Sequence, residues 1–193
     1  MSAQHDLSNV IDLRLAMGRQ GPDDTGEHVY VQGFDAVFRR YHAYVMTVVC
    51  RILNDRAQAE EVTQEAFISA YQHFDDLDDP SSLRSWLCTI AVRLAMKQAR
   101  KARWRRRMRS LPEYETLDFI DPGATSEQRT LLAQIFAQLD ALHPECKACW
   151  VLHVVEGFTN PDVARMTGLS ERTVKRRVHA AKLQLARHLE VSS

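Results

Sequence analysis

No stretch of this sequence approaches the roughly 18 to 20 consecutive apolar residues that a membrane-crossing helix needs. The N-terminal "MSAQHDLSNVIDLRLAMGRQ" also lacks the continuous apolar core of an export signal. The expectation is a cytoplasmic protein without membrane insertion. Cysteine is scarce. Cys50, Cys88, Cys146 and Cys149 each lie inside an apolar-patterned segment, which excludes a small disulfide-stapled scaffold and fits a reduced compartment. Net charge is zero, with 25 Lys and Arg against 25 Asp and Glu, so the chain is not uniformly coated with basic residues. No run alternates with period two, and no fixed-period repeat appears. No phosphate-cradling glycine loop, nucleophile with its base, or carboxylate pair in a cleft is visible. No catalytic residue, cofactor or metal site is therefore expected. What the chain does have is 45% hydrophobic residues over 193 positions, ample for a packed core.

The balanced net charge hides strong local imbalance. Between Asn54 and Asp79 the charges are Asp55, Glu60, Glu61, Glu65, Asp75, Asp76, Asp78 and Asp79, opposed only by Arg56. Between Arg84 and Arg109 every charge is basic: Arg84, Arg93, Lys97, Arg100, Lys101, Arg103, Arg105, Arg106, Arg107 and Arg109. The stretch 110–127 then carries Glu113, Glu115, Asp118, Asp121 and Glu127 with no Lys or Arg. Its Pro112 and Asp121-Pro122-Gly123 read as an exposed linker. The charge turns basic again from Arg165 to Arg187. Two basic surfaces on either side of an acidic tether point to a polyanion held at two places, with the acidic surface left for another partner.

Spacing supplies the architecture. Phe34, Val37, Phe38, Tyr41, Val45, Val48 and Ile52 recur at three and four, the apolar stripe of an amphipathic helix that ends at Asn54-Asp55. Val62, Ala66, Phe67, Ala70, Tyr71 and Phe74 repeat the pattern. Ser81 or Ser82 is placed to cap a third helix from Leu83 toward Trp104. Ser126 is placed to cap a helix over 127–142, and Pro144 suits the first turn of one that ends at Gly157. The reading is all-α, with two helical domains joined by a flexible acidic linker. The expected boundaries are 1–30 as a mobile or partly helical extension, 31–109 as the first domain, 110–125 as the linker and 126–193 as the second domain.

Within the second domain, "TNPDVARMTGLSERTVKRRVHAAKLQLARHL" predicts a helix-turn-helix. Thr159 or Asn160 caps a short helix with Pro161 in its first turn. Gly168 supplies a positive φ, and Ser170 caps the longer helix that follows. Val163, Ala164, Leu169, Val174 and Val178 fall where such a pair buries apolar groups. Arg172, Lys175, Arg176 and Arg177 crowd the first turns of the second helix, where base edges and phosphates are met. The competing reading is a solvated basic face on two packed helices.

"QAEEVTQEAFISAY", "SSLRSWLCTIAVRLAMKQARKARWRRR" and "LDALHPECKACWVLHVVEGFTNPDVARMTGLSERTVKRRVHAAKLQL" resemble, in that order, a bacterial RNA polymerase sigma factor of the extracytoplasmic-function (ECF) group in the sigma-70 family. The resemblance spans roughly 34–189. It implies sigma region 2 in the first domain and region 4 in the second, with core RNA polymerase and promoter DNA as partners and an anti-sigma protein as a further possibility. It assigns Glu60, Glu61, Gln64 and Glu65 to polymerase binding, a role that a row of carboxylates beside an apolar stripe can serve. Gln58 stands where the family often has aspartate. It assigns the helix from Arg84 to the minus-ten element, with Arg93, Lys97, Arg100, Lys101 and Arg103 as DNA contacts and Trp86 in the family's Trp-Leu position, although Trp86 also shares a core stripe with Ile90 and Leu94. The loop 75–82 would hold a flipped base, but it is more acidic than the family's loops. The second domain would read the minus-thirty-five element through Ser170, Glu171, Arg172, Thr173, Lys175, Arg176 and Arg177. A helix-turn-helix regulator that acts without polymerase is the alternative.

In "HPECKACWVLH", His143, Cys146, Cys149 and His153 have spacings that could serve a metal or a redox pair. Against zinc, structural sites usually draw ligands from two elements. Against a disulfide, residues three apart in a regular helix need distortion to bond. Buried small hydrophobes are the favoured reading of both cysteines.

Overall fold

A computed structural model of the chain describes Gly21, residues 26–108, Ile120 and residues 123–191, with backbone alone at 105–108 and 188–191. Most of the expected N-terminal extension and of the expected linker therefore lies outside the described residues. Among the described residues every regular element is helical. They are α1 (Glu27–Val31), α2 (Phe34–Leu53), α3 (Arg56–Gln72), a 3-10 turn (Pro80–Ser82), α4 (Leu83–Met108), α5 (Ser126–Ala141), α6 (Pro144–Trp150) with its π-helical continuation (Val151–Val155), α7 (Asn160–Thr167) and α8 (Glu171–Val191).

The boundaries follow local chemistry. α2 stops where Asn54 takes a left-handed conformation, φ 53°, and Asp55 then caps α3 by accepting the Gln58 N–H at 2.9 Å. The Gln58 side chain bonds Asp55 and accepts from Gln98 Nε2 at 3.0 Å, so this residue ties α3 to α4. Ahead of α4 the cap expected at Ser81 or Ser82 is replaced. Asp79 accepts the Ser81 N–H at 2.9 Å and starts the 3-10 turn, because a carboxylate is the stronger acceptor. Similarly Thr125, rather than Ser126, caps α5 through a reciprocal box with Gln128.

The three helices α2, α3 and α4 pack on one another, and α5 to α8 form a second group. On α2, Val37, Tyr41, Val45, Val48 and Ile52 are buried as their spacing predicts. Phe38 is 43% exposed and Tyr71 67% exposed, and both sit at the rim of an aromatic cluster. Phe38 meets Phe67 edge-on at 5.0 Å, and Phe34 meets Tyr71 at 5.2 Å. Trp86 is partly buried against the core.

The two groups do not stand apart. α4 packs on α6 and α7, α2 touches α6 and the π segment, and the buried apolar residues of both groups make one continuous cluster. Between them, closed to solvent, Arg51 Nη1 and Glu156 Oε1 lie 2.5 Å apart, with side-chain exposures of 1% and 0%. The sequence reading expects two helical domains on a flexible linker and leaves their packing on one another open. In the structure the two groups share apolar surface and this ion pair.

Candidate functional site

α3 turns its apolar residues Ala59, Val62, Ala66, Phe67 and Ala70 inward, which leaves Glu60, Glu61, Gln64 and Glu65 exposed on the opposite side. Glu60 accepts from Arg56 Nε at 3.0 Å across one turn, an exposed pair of the kind that contributes only a few tenths of a kcal/mol. All four sequence-assigned residues thus share one acidic surface. Gln58 is outside it, because its amide is engaged by Asp55 and Gln98.

Along α4 the inward residues Leu87, Cys88, Ala91, Val92, Ala95 and Met96 leave Arg93, Lys97, Arg100 and Lys101 exposed on one side. These cations are not equally available. Arg93 Nη2 donates to the Arg165 carbonyl at 3.2 Å, Arg100 lies 4.0 Å from Glu145, and the half-buried Arg103 donates to the Leu142 carbonyl at 2.5 Å. Each of those contacts reaches into the second group of helices. Trp104, 66% exposed beside Arg100 and Lys101, continues the same side.

The helix-turn-helix is built as its residues dictate. Thr159 caps α7 by accepting the Asp162 N–H at 3.3 Å. Gly168 ends it at φ 72°, a conformation that a side chain resists. Ser170 Oγ then accepts the Thr173 N–H at 3.3 Å and starts α8. Val163, Val174 and Val178 are buried, with Ala164 and Leu169 packed against them. Glu171, Arg172, Lys175 and Arg176 remain exposed on the first turns of α8. Arg177 differs, since it donates to Glu145 at 2.9 Å and is only 29% exposed.

The His143–His153 stretch resolves into separate local roles. His143 Nδ1 accepts the Glu145 N–H at 3.4 Å as the cap of α6. His153 Nδ1 lies 2.9 Å from the Phe158 carbonyl. Cys146 and Cys149 are buried, and burial, reinforced by Cys146 and Glu145, pushes the Cys149 thiol up to about 12. Among the described residues no three His, Cys, Asp or Glu side chains converge on a point that could hold a metal. No described helix is long and apolar enough to cross a membrane.

Sequence reasoning passes over Arg51 and Glu156. Arg51 sits on the buried stripe of α2 beside Val48 and Ile52, a position that demands an acidic partner without saying which. Glu156 becomes that partner because α6 widens into the π segment, Glu156 N–H donating to the Val151 carbonyl at 3.0 Å, before Gly157 turns the chain at φ 78°.

Comparison with known proteins agrees with this layout. Residues 37–105 match the family description Sigma-70 region 2, and residues 132–185 match Sigma-70, region 4. The ECF RNA polymerase sigma factor SigE of Mycolicibacterium smegmatis is 30% identical over 170 residues, which cover 86% of this chain and 65% of that protein. The ECF RNA polymerase sigma factor SigL of Mycobacterium tuberculosis is 32% identical over 152 residues, 76% of this chain and 82% of that one. The chain thus spans about two thirds of the first relative and most of the second. Among solved structures, the sigma factor RpoE of Bartonella quintana in complex with the anti-sigma factor NepR superposes with a TM-score of 0.63 at 21% identity, covering 84% of this chain and 99% of RpoE. CnrH in complex with the cytosolic domain of CnrY gives 0.61 at 20% identity, covering 88% of this chain and all of CnrH. With region 2 carrying the acidic and basic faces of α3 and α4, and region 4 carrying the helix-turn-helix, this chain belongs to the ECF group of sigma-70-family RNA polymerase sigma factors.

Proposed function

We propose that this chain binds core RNA polymerase through the exposed Glu60, Glu61, Gln64 and Glu65 of α3 and directs it to promoters. In this reading α4 lies along the minus-ten element, with Lys97, Arg100 and Lys101 on its phosphates, and the start of α8 reads the minus-thirty-five element through Arg172, Lys175 and Arg176. The observation that carries the reading is the exposed cationic first turns of α8, set by the Gly168 turn and the Ser170 cap in the geometry that places a helix in the major groove. The chain contributes binding and strand-opening contacts and no bond-making step. Its place is the cytoplasm, where polymerase and DNA are. An anti-sigma protein is a further proposed partner, since both superposed sigma structures carry a second protein.

The test is run-off transcription with purified core enzyme, with and without this chain, on promoters of its own genome. Transcripts that start at defined sites only when the chain is present support the reading. The double change Glu61→Lys with Glu65→Lys should abolish them and reduce co-purification with core enzyme, while leaving thermal stability unchanged, because both side chains are exposed. A chain that binds duplex promoter DNA by itself and leaves transcription start sites unaltered is a regulator independent of polymerase, and the proposal fails.

A further inference from the structure

The basic side of α4 ends in an exposed indole. Arg93, Lys97, Arg100 and Trp104 follow one another at spacings of four, three and four, with Lys101 beside them, so all five share one side of the helix. Trp104 is 66% exposed, whereas Trp150 is 3% exposed and Trp86 packs against the core. The inward stripe of α4 runs through Ala99 and Ala102, and position 104 lies about 200° round the helix from Ala102, on the water side. Gln98, Arg100, Lys101 and Trp104 line one shallow depression. Its Gln98 wall is fixed, because that amide donates to Gln58 Oε1 at 3.0 Å. Beyond Trp104 the sequence continues with Arg105, Arg106 and Arg107.

A flat aromatic face among cations suits one kind of ligand. Cations hold a phosphate backbone while an aromatic ring receives a base, and together they grip a single strand. Paired DNA offers the indole no such face, since each base is covered by its neighbours, and only a base that has left the stack exposes one. An apolar protein surface is a poorer match, because docking here would strip water from the surrounding arginine and lysine. We infer that Trp104 stacks on an unpaired base of the opened promoter strand, with Arg100 and Lys101 on the flanking phosphates. The inference rests on the sigma-factor reading and adds to it a residue that distinguishes opened DNA from closed. The loop 75–82 is a different environment. Its four exposed aspartates repel a polyanion, and it lies about 30 Å from Trp104 along α4. Stacking accepts any base, so Trp104 holds the opened strand and does not choose the promoter.

The experiment uses holoenzyme assembled from core enzyme and the full chain, bound to two forms of one promoter. One is fully paired and kept closed by low temperature, and the other is premelted by mismatches across the minus-ten element. Trp104→Ala should lower affinity for the premelted form roughly 5- to 100-fold, the effect of losing one stacked base, and leave the paired form within about twofold. Trp104→Phe keeps an aromatic face and should retain most of the affinity. Lys101→Ala should weaken both forms alike, because both carry phosphates. Abasic sites placed one at a time along the premelted strand locate the base. One of them should weaken the parent holoenzyme and have no further effect on Trp104→Ala. Thermal melting of the free variant checks that the exposed substitution leaves the fold intact. Equal loss on both promoter forms would make Trp104 a duplex contact, loss of holoenzyme assembly would place it on polymerase, and no loss on either form would leave it without a role on DNA. Each of these outcomes overturns the stacking site while the sigma-factor reading stands. If the parent holoenzyme binds neither form, that reading fails and the stacking site falls with it.

Discussion

Arg177 Nη2 and Glu145 Oε2, 32 positions apart, lie 2.9 Å from each other, so an arginine of α8 is held by the first turn of α6. Arg177 also approaches the sulfur of Cys146 at 3.9 Å. Its neighbours Arg172, Lys175 and Arg176 have no comparable cover. A run of like charges in the sequence therefore divides into one structural cation and three exposed ones.

Arg177→Ala should therefore lower stability by about 1.5 to 3 kcal/mol, the range for a hydrogen bond to a charged group. It should leave the ranking of promoter sequences unchanged. Urea denaturation and a promoter panel measure the two effects. A change of ranking without loss of stability would show Arg177 on the DNA after all.

Arg176→Ala should do the reverse. If its guanidinium makes a bidentate guanine contact, discrimination at one upstream position falls by about 1 to 3 kcal/mol. Lys182→Ala, exposed farther along α8, should weaken binding evenly or not at all. The readout is holoenzyme affinity across single-base changes at fixed salt. An equal loss on every promoter would make Arg176 a phosphate contact.

His143 predicts an acid-sensitive helix start. Burial lowers its pKa below 6.5. Glu145 pulls upward, and Arg177, Arg103 and Arg100 push down again. The unfolded chain thus takes up the proton at higher pH than the folded one. The contribution is intact above 6.5 and is lost as pH falls from 6.5 toward the lowered value. His143→Asn keeps a cap acceptor and removes the titration, so its melting temperature should fall less than the parent's over that window. Parallel pH curves for the two proteins would contradict this.

All four cysteines are buried, and burial pushes the Cys88 and Cys149 thiols up to about 12. A thiol reagent at neutral pH should label none of them quickly in the native chain and all four in denaturant. Rapid native labelling of Cys146 or Cys149 would revive a redox role for that helix.

Much of this protein is determined by local sequence. The stripes at three and four place Val37, Tyr41, Val45 and Val48 inside. Gly168 and Ser170 make the turn of the helix-turn-helix, and the glutamates of α3 and most of the described cations of α4 and α8 settle on exposed helix faces, because periodicity, capping and charge act over a few residues. Where two adjacent groups could cap one helix, as Thr125 and Ser126 or Asp79 and Ser81, the choice turned on geometry that one-letter patterns do not carry. Tertiary structure alone decided which charges are available. Arg51, Arg103 and Arg177 look like other cations in the sequence, yet each finds its partner at Glu156, Leu142 or Glu145, at least 32 positions away. Such pairing depends on which surfaces the packed helices bring together and on the cost of leaving a buried charge unmatched. No local pattern encodes either.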